Sequence, residues 1–177
     1  FDIEPAVISR FARTYDATAQ RVYGTALARP ARRRPGRLRI GYLGADLRHH
    51  VMGKMIWQAV QHHDRSRFAL HFYSLGIERD DWTERFAGIA DRFEVLAGLP
   101  EREAALRIAA DDLDLLVDLS THTQGAKPGI LAFKPARVQI THVASAGTVG
   151  LSTIDFKLTD RHADIAESQA EQIETLL

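Results

Sequence analysis

An aspartate and two histidines follow one short apolar segment of the chain and are the first candidates for chemistry. Asp46, His49 and His50 come directly after residues 38–44, whose sequence is LRIGYLG. A histidine titrates near neutral pH, so it can act as a base or donate a hydrogen bond, and a nearby carboxylate can assist it. The spacing alone leaves a structural alternative open, in which Asp46 caps the following helix and the histidines lie on the surface.

The same segment does not match a phosphate-binding loop, because it contains neither G-x-G-x-x-G nor a G-K-S/T sequence. Metal binding is a third interpretation, since potential ligands are concentrated here: Asp46, His49, His50, His62, His63 and His71. A helix between the two histidine pairs would separate them by about 18 Å at 1.5 Å per residue, so they cannot share one ion. We therefore expect no metal site.

Two later segments also place polar or small residues directly after apolar runs. Residues 120–127 (STHTQGAK) include His122, Thr123 and Lys127. Residues 144–150 (ASAGTVG) are small, which lets a ligand approach the backbone closely. The structural alternatives are a hydroxyl-rich turn with a helix cap for the first segment and an ordinary glycine-containing loop for the second.

Strands alternate with amphipathic helices from residue 38 onward. We predict strands at 38–43, 68–75, 92–96, 113–119, 138–143 and 154–158. The helices between them are predicted from an apolar face (Met52, Met55, Ile56, Ala59, Val60), a capping box at 81–84 with Trp82, Phe86 and Ile89 buried, and prolines at 100 and 128. This alternation predicts an α/β fold: a Rossmann-like parallel sheet with helices on both faces. Because the carboxyl ends of parallel strands share one edge, the three polar turns should meet there.

The chain divides into three predicted parts. Residues 1–27 form a leading helix, the end of a helical region, with an apolar stripe at Ile3, Val7, Phe11, Tyr15, Thr18 and Val22. Residues 28–37 are an Arg/Pro linker, whose three consecutive arginines suit a solvated connector better than a nucleic-acid or lipid patch. Residues 38–177 form the sheet domain. We expect this domain to be truncated, because the chain begins with Phe1 and ends in a helical-looking segment.

The composition argues against several classes of function. Of 177 residues, Lys plus Arg and Asp plus Glu each number 23, and a net charge of zero argues against nucleic-acid binding. The chain has no cysteine, which excludes disulfides and thiolate metal sites and fits the cytoplasmic location that we expect. We expect no membrane association, since no apolar run approaches the ~20 residues that span a bilayer and no signal peptide is evident.

Four segments together resemble the O-linked N-acetylglucosamine transferase family, including its SPINDLY-like and bacterial members. They are LRIGYLGADLRHH, FALHFYSLG, LLVDLSTHTQGAKPGILAFKPARVQITHVASAGTVG and IDFKLTDRHAD, which lie within residues 37–164. The resemblance implies a glycosyltransferase of GT-B type, in which tandem helical repeats of the TPR kind precede two Rossmann-like halves. This chain would be the N-terminal half, without the C-terminal half that holds most uridine diphosphate contacts and a catalytic lysine.

The resemblance also implies an inverting enzyme that moves N-acetylglucosamine from a UDP-sugar to Ser or Thr of a protein, without a metal cofactor. Asp46 and His50 match residues that assist deprotonation of the acceptor, and His49 beside them is a candidate substrate contact. His122, Thr123 and Lys127 match a Tyr-Thr and an Arg near the acceptor channel. The loop that lies against the sugar, usually Gly-Tyr-Pro-Gly-Thr, corresponds to Ala144, Ser145, Ala146, Gly147 and Thr148.

The chain departs from the family pattern in three places. The sugar-side loop lacks its aromatic residue and proline, Val51-Met52 replaces Pro-Thr, and residues 1–23 contain no histidine, although many members carry one there. Two alternatives therefore stay open. One is a non-catalytic binding module of the same fold, and the other is a relative that transfers fucose or that glucosylates asparagine. We expect the chain alone to be inactive, because half of the cleft is absent.

Overall fold

The computed structural model describes residues 4–24, 26–27, 35–142, 147–164 and 166–177. Within them, seven strands form one sheet: β1 (Leu38–Gly44), β2 (Phe68–Ser74), β3 (Arg92–Val95), β4 (Leu115–Asp118), β5 (Val138–His142), β6 (Phe156–Leu158) and β7 (Thr175–Leu176). Every neighbouring pair is parallel, and the order across the sheet is β3-β2-β1-β4-β5-β6-β7. The predicted Rossmann-like parallel sheet is confirmed, with the change of winding direction between β1 and β4.

Helices cover both faces of this sheet, as predicted. They are α1 (Pro5–Tyr23), α2 (Val51–Val60), α3 (Asp81–Ile89), α4 (Glu101–Ala110) and α5 (Pro128–Ala132), followed by a 3-10 helix at Ala166–Glu171. One buried apolar cluster joins α2 and α3 to the sheet, and another joins α1, α4 and α5 to the opposite face. No helix in the described part of the chain combines the length and the apolar character needed to cross a membrane.

Aromatic side chains dominate the core beneath α2 and α3. Phe72 of β2 is fully buried and stacks on Tyr42 of β1 at a ring-centroid distance of 5.4 Å. Phe86 of α3 packs against Phe72 and Trp57, with both centroid distances at 5.4 Å. Burial of one such ring contributes about 1.5–3 kcal/mol. This cluster therefore fixes α2, and with it the turn that precedes α2, against the centre of the sheet.

The capping box of α3 lies one residue before the predicted position. The Asp80 carboxylate accepts the N–H groups of Trp82 and Thr83 at 3.0 and 2.9 Å, and the Thr83 hydroxyl accepts the Asp80 N–H at 3.3 Å. Thr83, rather than Glu84, is thus the reciprocal partner, so the prediction of a box at 81–84 is wrong by one position. Phe86 is buried as predicted, whereas Trp82 and Ile89 are only half-buried.

In the described part of the predicted apolar stripe of α1, Tyr15 is half-buried and packs against the core, whereas the other residues are exposed. Phe11 and Val22 remain 70% and 67% exposed, whereas Ala12 and Ala19 are buried. The face of α1 that carries alanines packs against the protein because the helix comes close to the backbone of Gly150. A Cβ on Gly150 would lie 3.4 Å from the Ala12 Cα. Of the predicted 28–37 linker, residues 28–34 lie outside the described residues.

The end of the chain is a strand, not the helix that its sequence suggested. After the 3-10 helix, β7 pairs in parallel with β6, so that Phe156 lies opposite Thr175. The Thr175 N–H donates to the Asp155 carbonyl at 3.1 Å, and the Leu177 N–H donates to the Lys157 carbonyl at 2.9 Å. An open edge beside β6 offers these backbone partners, which a local helical pattern cannot reveal.

The apolar face of α2 is rotated from the predicted one. Ile56 and Val60 are buried as expected, but Met55 is 46% exposed and Ala59 is also exposed. The remaining buried position is Gly53, where a Cβ would meet the carbonyl oxygens of Arg48 and Asp46. The missing side chain of Gly53 lets α2 press against the turn that carries the candidate site residues.

Gly53→Ala should lower the free energy of unfolding by about 1–3 kcal/mol, because the new methyl group collides with backbone that cannot easily move. Gly88→Ala is the matched control, since Gly88 also lies in a helix but a Cβ there meets nothing within 4 Å. That control should be neutral or stabilising by roughly 0.5–1 kcal/mol. Urea unfolding of both variants checks this, and equal stability for Gly53→Ala and the unmodified protein would contradict the packing described.

Candidate functional site

Three turns that follow β1, β4 and β5 meet at the carboxyl edge of the sheet. The Ala45 N–H donates to the Ser120 hydroxyl at 3.1 Å, which joins the first turn to the second. His122 Nε2 lies 2.7 Å from the Val149 carbonyl oxygen, which joins the second turn to the third. The structure therefore places the three predicted segments along one edge.

A cavity of about 640 Å³ opens at this edge. Its volume lies within the range of ligand sites in proteins. The turns after β1 and β4 contribute to it, and so do those after β2 and β3. Its polar side chains are Asp46, Arg48, His50, Glu78, Thr123 and Gln124. Of the predicted site residues, the cavity brings together Asp46, His50 and Thr123.

Asp46 uses its two carboxylate oxygens differently. Oδ1 pairs with the guanidinium of Arg48, at 3.2 Å from both Nε and Nη2. Oδ2 lies 3.5 Å from Nδ1 of His50. Arg48 in turn pairs with Glu78 at 2.6 Å, which ties the turn after β1 to the turn after β2. Arg48 therefore fixes the orientation of Asp46 and leaves Oδ2 as the oxygen on the side of His50.

His50 is the N-cap of α2, and this position defines its tautomer. Its Nδ1 accepts the N–H of Met52 at 3.3 Å. In the neutral ring the proton must then reside on Nε2, which makes that nitrogen a hydrogen-bond donor. The structural alternative had Asp46 as the cap of this helix; the cap is His50 instead. The side chain is 39% exposed at the cavity, so capping does not remove it from solvent.

His49 is directed to α3 and does not line the cavity. Its N–H donates to Asp80 Oδ2 at 2.7 Å, and its ring lies 6.0 Å from the Trp82 ring. This hydrogen bond from His49 is the largest of the effects that lower the pKa of Asp80. The same carboxylate thus caps α3 and holds the turn after β1.

The turn after β4 is built on the buried carboxylate of Asp118. It accepts the N–H groups of Ser120 and Thr121 at 3.1 and 3.0 Å and the hydroxyl of Thr141 at 3.1 Å. Burial raises the pKa of Asp118, and these three donors oppose that rise. Thr121 adopts a left-handed φ of 44°, which a threonine tolerates only where its surroundings hold it.

Two further predicted residues on this turn hold the structure together instead of lining the cavity. His122 packs edge-on against Tyr15 of α1, with a centroid distance of 5.3 Å. Because the Val149 carbonyl can only accept, His122 Nε2 is the donor in their contact. Lys127 donates to the Leu99 carbonyl at 2.8 Å and so anchors the start of α5.

Of the predicted sugar-side loop, Ala144, Ser145 and Ala146 lie outside the described residues. Gly147 is exposed. The Thr148 hydroxyl donates to Glu174 at 2.5 Å and accepts the Gly150 N–H at 2.9 Å. Thr148 is therefore engaged within the protein rather than in the cavity.

Sequence reasoning missed Arg48, Glu78 and the turns after β2 and β3. The parallel arrangement alone could have added those turns, because every strand end lies at the same edge. Glu174 carried no local signal, since the partners of its carboxylate are more than 20 residues away. Among the residues that the structure describes, no group of three His, Cys, Asp or Glu side chains is placed to hold a metal ion.

This strand order, with a polar cavity outside the carboxyl edge, defines an α/β protein of the Rossmann-like class. The sequence matches the family model "Glycosyl transferase family 41" over residues 20–176. The chain belongs to that family, which confirms the resemblance drawn from its motifs.

Named relatives agree with this assignment. The probable UDP-N-acetylglucosamine–peptide N-acetylglucosaminyltransferase SPINDLY of Arabidopsis thaliana is 32% identical over 142 residues, or 78% of this chain and 16% of that protein. The corresponding transferase of Caenorhabditis elegans is 29% identical over 126 residues, or 70% of this chain and 11% of that protein. The solved structure of a mutant O-GlcNAc transferase of Thermobaculum terrenum matches with a TM-score of 0.85 and 30% sequence identity. The match covers 98% of this chain and 33% of the transferase chain. The chain thus spans about a sixth of the SPINDLY relative.

Two substitutions of His50, one that removes the cap of α2 and one that keeps it, measure the structural role of this residue apart from any role in catalysis. His50→Ala should lower the free energy of unfolding by about 0.5–2 kcal/mol, because the Met52 N–H loses its acceptor. His50→Asn, which supplies a good capping oxygen, should recover most of that loss. Urea unfolding of the two variants measures the difference. If both variants are as stable as the unmodified protein, the contact with Met52 contributes nothing.

Proposed function

We propose that this chain is the acceptor-side half of an inverting protein O-glycosyltransferase. The donor would be a UDP-sugar, with N-acetylglucosamine as the sugar, and the acceptor a Ser or Thr hydroxyl of a protein. The observation that carries the proposal is the Asp46–His50 pair, which lines a cavity of about 640 Å³ in a chain of glycosyl transferase family 41. The names of the relatives support the choice of donor and acceptor.

In this reaction the hydroxyl oxygen of the acceptor forms a bond to the anomeric carbon, and the bond from that carbon to the diphosphate oxygen breaks. The hydroxyl proton must leave the acceptor oxygen, and the electron pair of the broken bond leaves with the diphosphate. Asp46 Oδ2 is the carboxylate oxygen that Arg48 does not occupy. We assign to it the hydrogen bond that orients the acceptor hydroxyl, and it receives the proton that the hydroxyl loses.

His50 acts beside Asp46 as a hydrogen-bond donor through Nε2. Its Nδ1 is occupied by the Met52 N–H and lies near Asp46. This arrangement favours a role for the His50 ring in positioning oxygen atoms of the substrates, rather than a role as the only base.

Of the remaining predicted residues, Thr123 lines the cavity and would contact the acceptor peptide, together with Gln124, which the sequence analysis did not single out. His49, His122, Lys127 and Thr148 are held by other parts of the protein and would act by fixing the turns. The C-terminal half, which the family resemblance implies, would supply the uridine diphosphate contacts from across the cleft. We propose a cytoplasmic enzyme that works on proteins in that compartment.

Loss of the His50 imidazole should lower kcat/KM for sugar transfer by the intact enzyme about 10²–10⁴-fold, the usual contribution of acid–base assistance, which Asp46 and His50 are proposed to supply together. His50→Asn should lose as much, although it retains the helix cap. His62→Ala is the matched control, because His62 lies exposed beyond the far end of α2. Transfer is measured with radiolabelled UDP-N-acetylglucosamine and a protein acceptor. A loss below about threefold for His50→Ala would remove His50 from the mechanism.

The 177-residue chain alone should transfer no sugar, because the half that holds the donor is proposed to lie elsewhere. The assay incubates the purified chain with UDP-N-acetylglucosamine and acceptor protein, with the intact enzyme as the positive control. Turnover by the chain alone would refute the division into two halves. Thermal shift of the intact enzyme against a panel of sugar nucleotides then identifies the donor. Stabilisation by a nucleotide sugar without any transfer would favour the non-catalytic alternative.

A further inference from the structure

The cavity at the carboxyl edge of the sheet exposes apolar side chains as well as polar ones. Ile77, on the turn after β2, is 82% exposed, the largest exposure among the bulky apolar residues that the structure describes. Val51, the first residue of α2, is 61% exposed. Both line the cavity that holds Asp46 and His50. A single exposed apolar residue needs no explanation, but two in one cavity beside a candidate site indicate a contact surface.

The backbone on both sides of Ile77 is fixed, so its side chain has a defined position. Before it, Gly76 approaches the turn after β1 so closely that a Cβ on Gly76 would lie 2.6 Å from the Ala45 carbonyl oxygen. After it, Glu78 pairs with Arg48 at 2.6 Å. The turn that exposes Ile77 is therefore attached to the turn after β1 at two points. A side chain on such a fixed backbone loses less entropy when a ligand covers it.

Val51 is fixed by the start of the helix to which it belongs. It follows the cap residue His50, whose Nδ1 accepts the Met52 N–H at 3.3 Å. Two positions further along, Gly53 lets α2 lie directly against the backbone of the turn after β1. The Val51 side chain is thus exposed at the cavity from a rigid first turn, next to the histidine of the candidate site.

The charged groups of the cavity indicate what kind of molecule can cover these two residues. Two carboxylates, Asp46 and Glu78, face a single guanidinium, that of Arg48, which pairs with both. Within the described residues, no lysine and no second arginine line this cavity. A diphosphate would meet like charge there without a free cation to offset it. An uncharged peptide segment with apolar side chains meets no such repulsion and removes apolar surface from water.

We propose that Ile77 and Val51 form an apolar subsite of the cavity, which selects acceptor segments that carry apolar side chains directly beside the Ser or Thr. This inference rests on the proposed function, because it takes the cavity as the place where the acceptor binds. The two residues take no part in the transfer of the sugar. They favour one class of protein sequence by covering its apolar side chains when the hydroxyl reaches Asp46.

The test compares three acceptor peptides with the intact enzyme and radiolabelled UDP-N-acetylglucosamine. The peptides are identical except at the two positions that flank a single Ser, which both carry Val, Ala or Asp. The kcat/KM for the Val peptide should be about tenfold higher than for the Ala peptide, the usual effect of a small change in apolar side-chain size. The Asp peptide should be the poorest acceptor, because its carboxylates approach those of the cavity.

Substitutions of the two residues test whether they are the source of this preference. Ile77→Ser should reduce the Val-to-Ala ratio to about twofold or less, while kcat/KM for the Ala peptide stays within about threefold. Ile77→Leu keeps an apolar side chain and should retain the preference. Val51→Thr replaces a methyl group by a hydroxyl at constant size and should also lower the ratio. All are substitutions of exposed side chains, so the variants should keep the stability of the unmodified enzyme.

Leu106→Ser is the matched control, because Leu106 of α4 is also an exposed apolar residue but lies outside the cavity. Its Val-to-Ala ratio should equal that of the unmodified enzyme. An equal loss of the ratio in Leu106→Ser would overturn the proposal, because the effect would then not come from the cavity.

The outcomes distinguish this proposal from the function on which it rests. If the unmodified enzyme transfers no sugar to any protein or peptide, the proposed function fails and the subsite fails with it. If the enzyme is active and uses the Val and Ala peptides equally, only the subsite fails. A preference for the Val peptide that persists in Ile77→Ser would also overturn the subsite, because its source would then lie elsewhere in the enzyme.

Discussion

The candidate site depends on the close approach of several backbone turns around Ala45, at the end of the central strand. A Cβ on Gly76 would lie 2.6 Å from the Ala45 carbonyl oxygen, and one on Gly125 would lie 3.0 Å from the Ala45 methyl group. Glycine at these two positions lets the turns after β2 and β4 reach the turn after β1 without a gap. The hydrogen bond from the Ala45 N–H to Ser120 then fixes their spacing. The polar side chains can therefore share one cavity, because the glycines beneath them carry no side chains that would keep the turns apart.

The buried carboxylate of Asp118, on the turn after β4, makes an unfavourable contribution to the stability of the folded protein. Burial of this carboxylate raises its pKa above the ordinary value of 3.8. A folded-state pKa above the unfolded value means that the folded protein binds the proton more tightly, so this residue lowers stability as the pH rises above 3.8. In return for this loss of stability, the three hydrogen bonds to Asp118 hold the turn after β4 in place, including the strained conformation of Thr121. A preorganised turn of this kind spares the site the entropy of ordering it when a ligand binds.

The sequence was sufficient for the first six strands of the sheet, because these strands are apolar and alternate with helices, and right-handed crossovers then predict which turns meet. It did not predict β7, which pairs with the edge strand β6. It was insufficient where tertiary contacts decide between equal local signals. Phe11 and Val22 of α1 are more apolar than Ala12 and Ala19, yet the alanine face packs because only a small residue fits against Gly150. The same holds for the site: a polar residue after a strand can face the cavity, as Asp46 does, or hold a neighbouring turn, as His122 does. Residue type does not distinguish these two uses.

Within the loop after β5, this chain departs from the family pattern before Gly147, ahead of the hydrogen bonds that hold residues 148–150. The replaced aromatic residue and proline fall at Ser145 and Ala146, whereas Thr148 and Gly150, which bind Glu174, are retained. The partners on the protein side, Glu174 and His122, lie outside the loop altogether. A substitution before Gly147 therefore leaves these hydrogen bonds available. The physical consequence is that the sequence of the loop can diverge before Gly147 while the hydrogen bonds that fix residues 148–150 are kept.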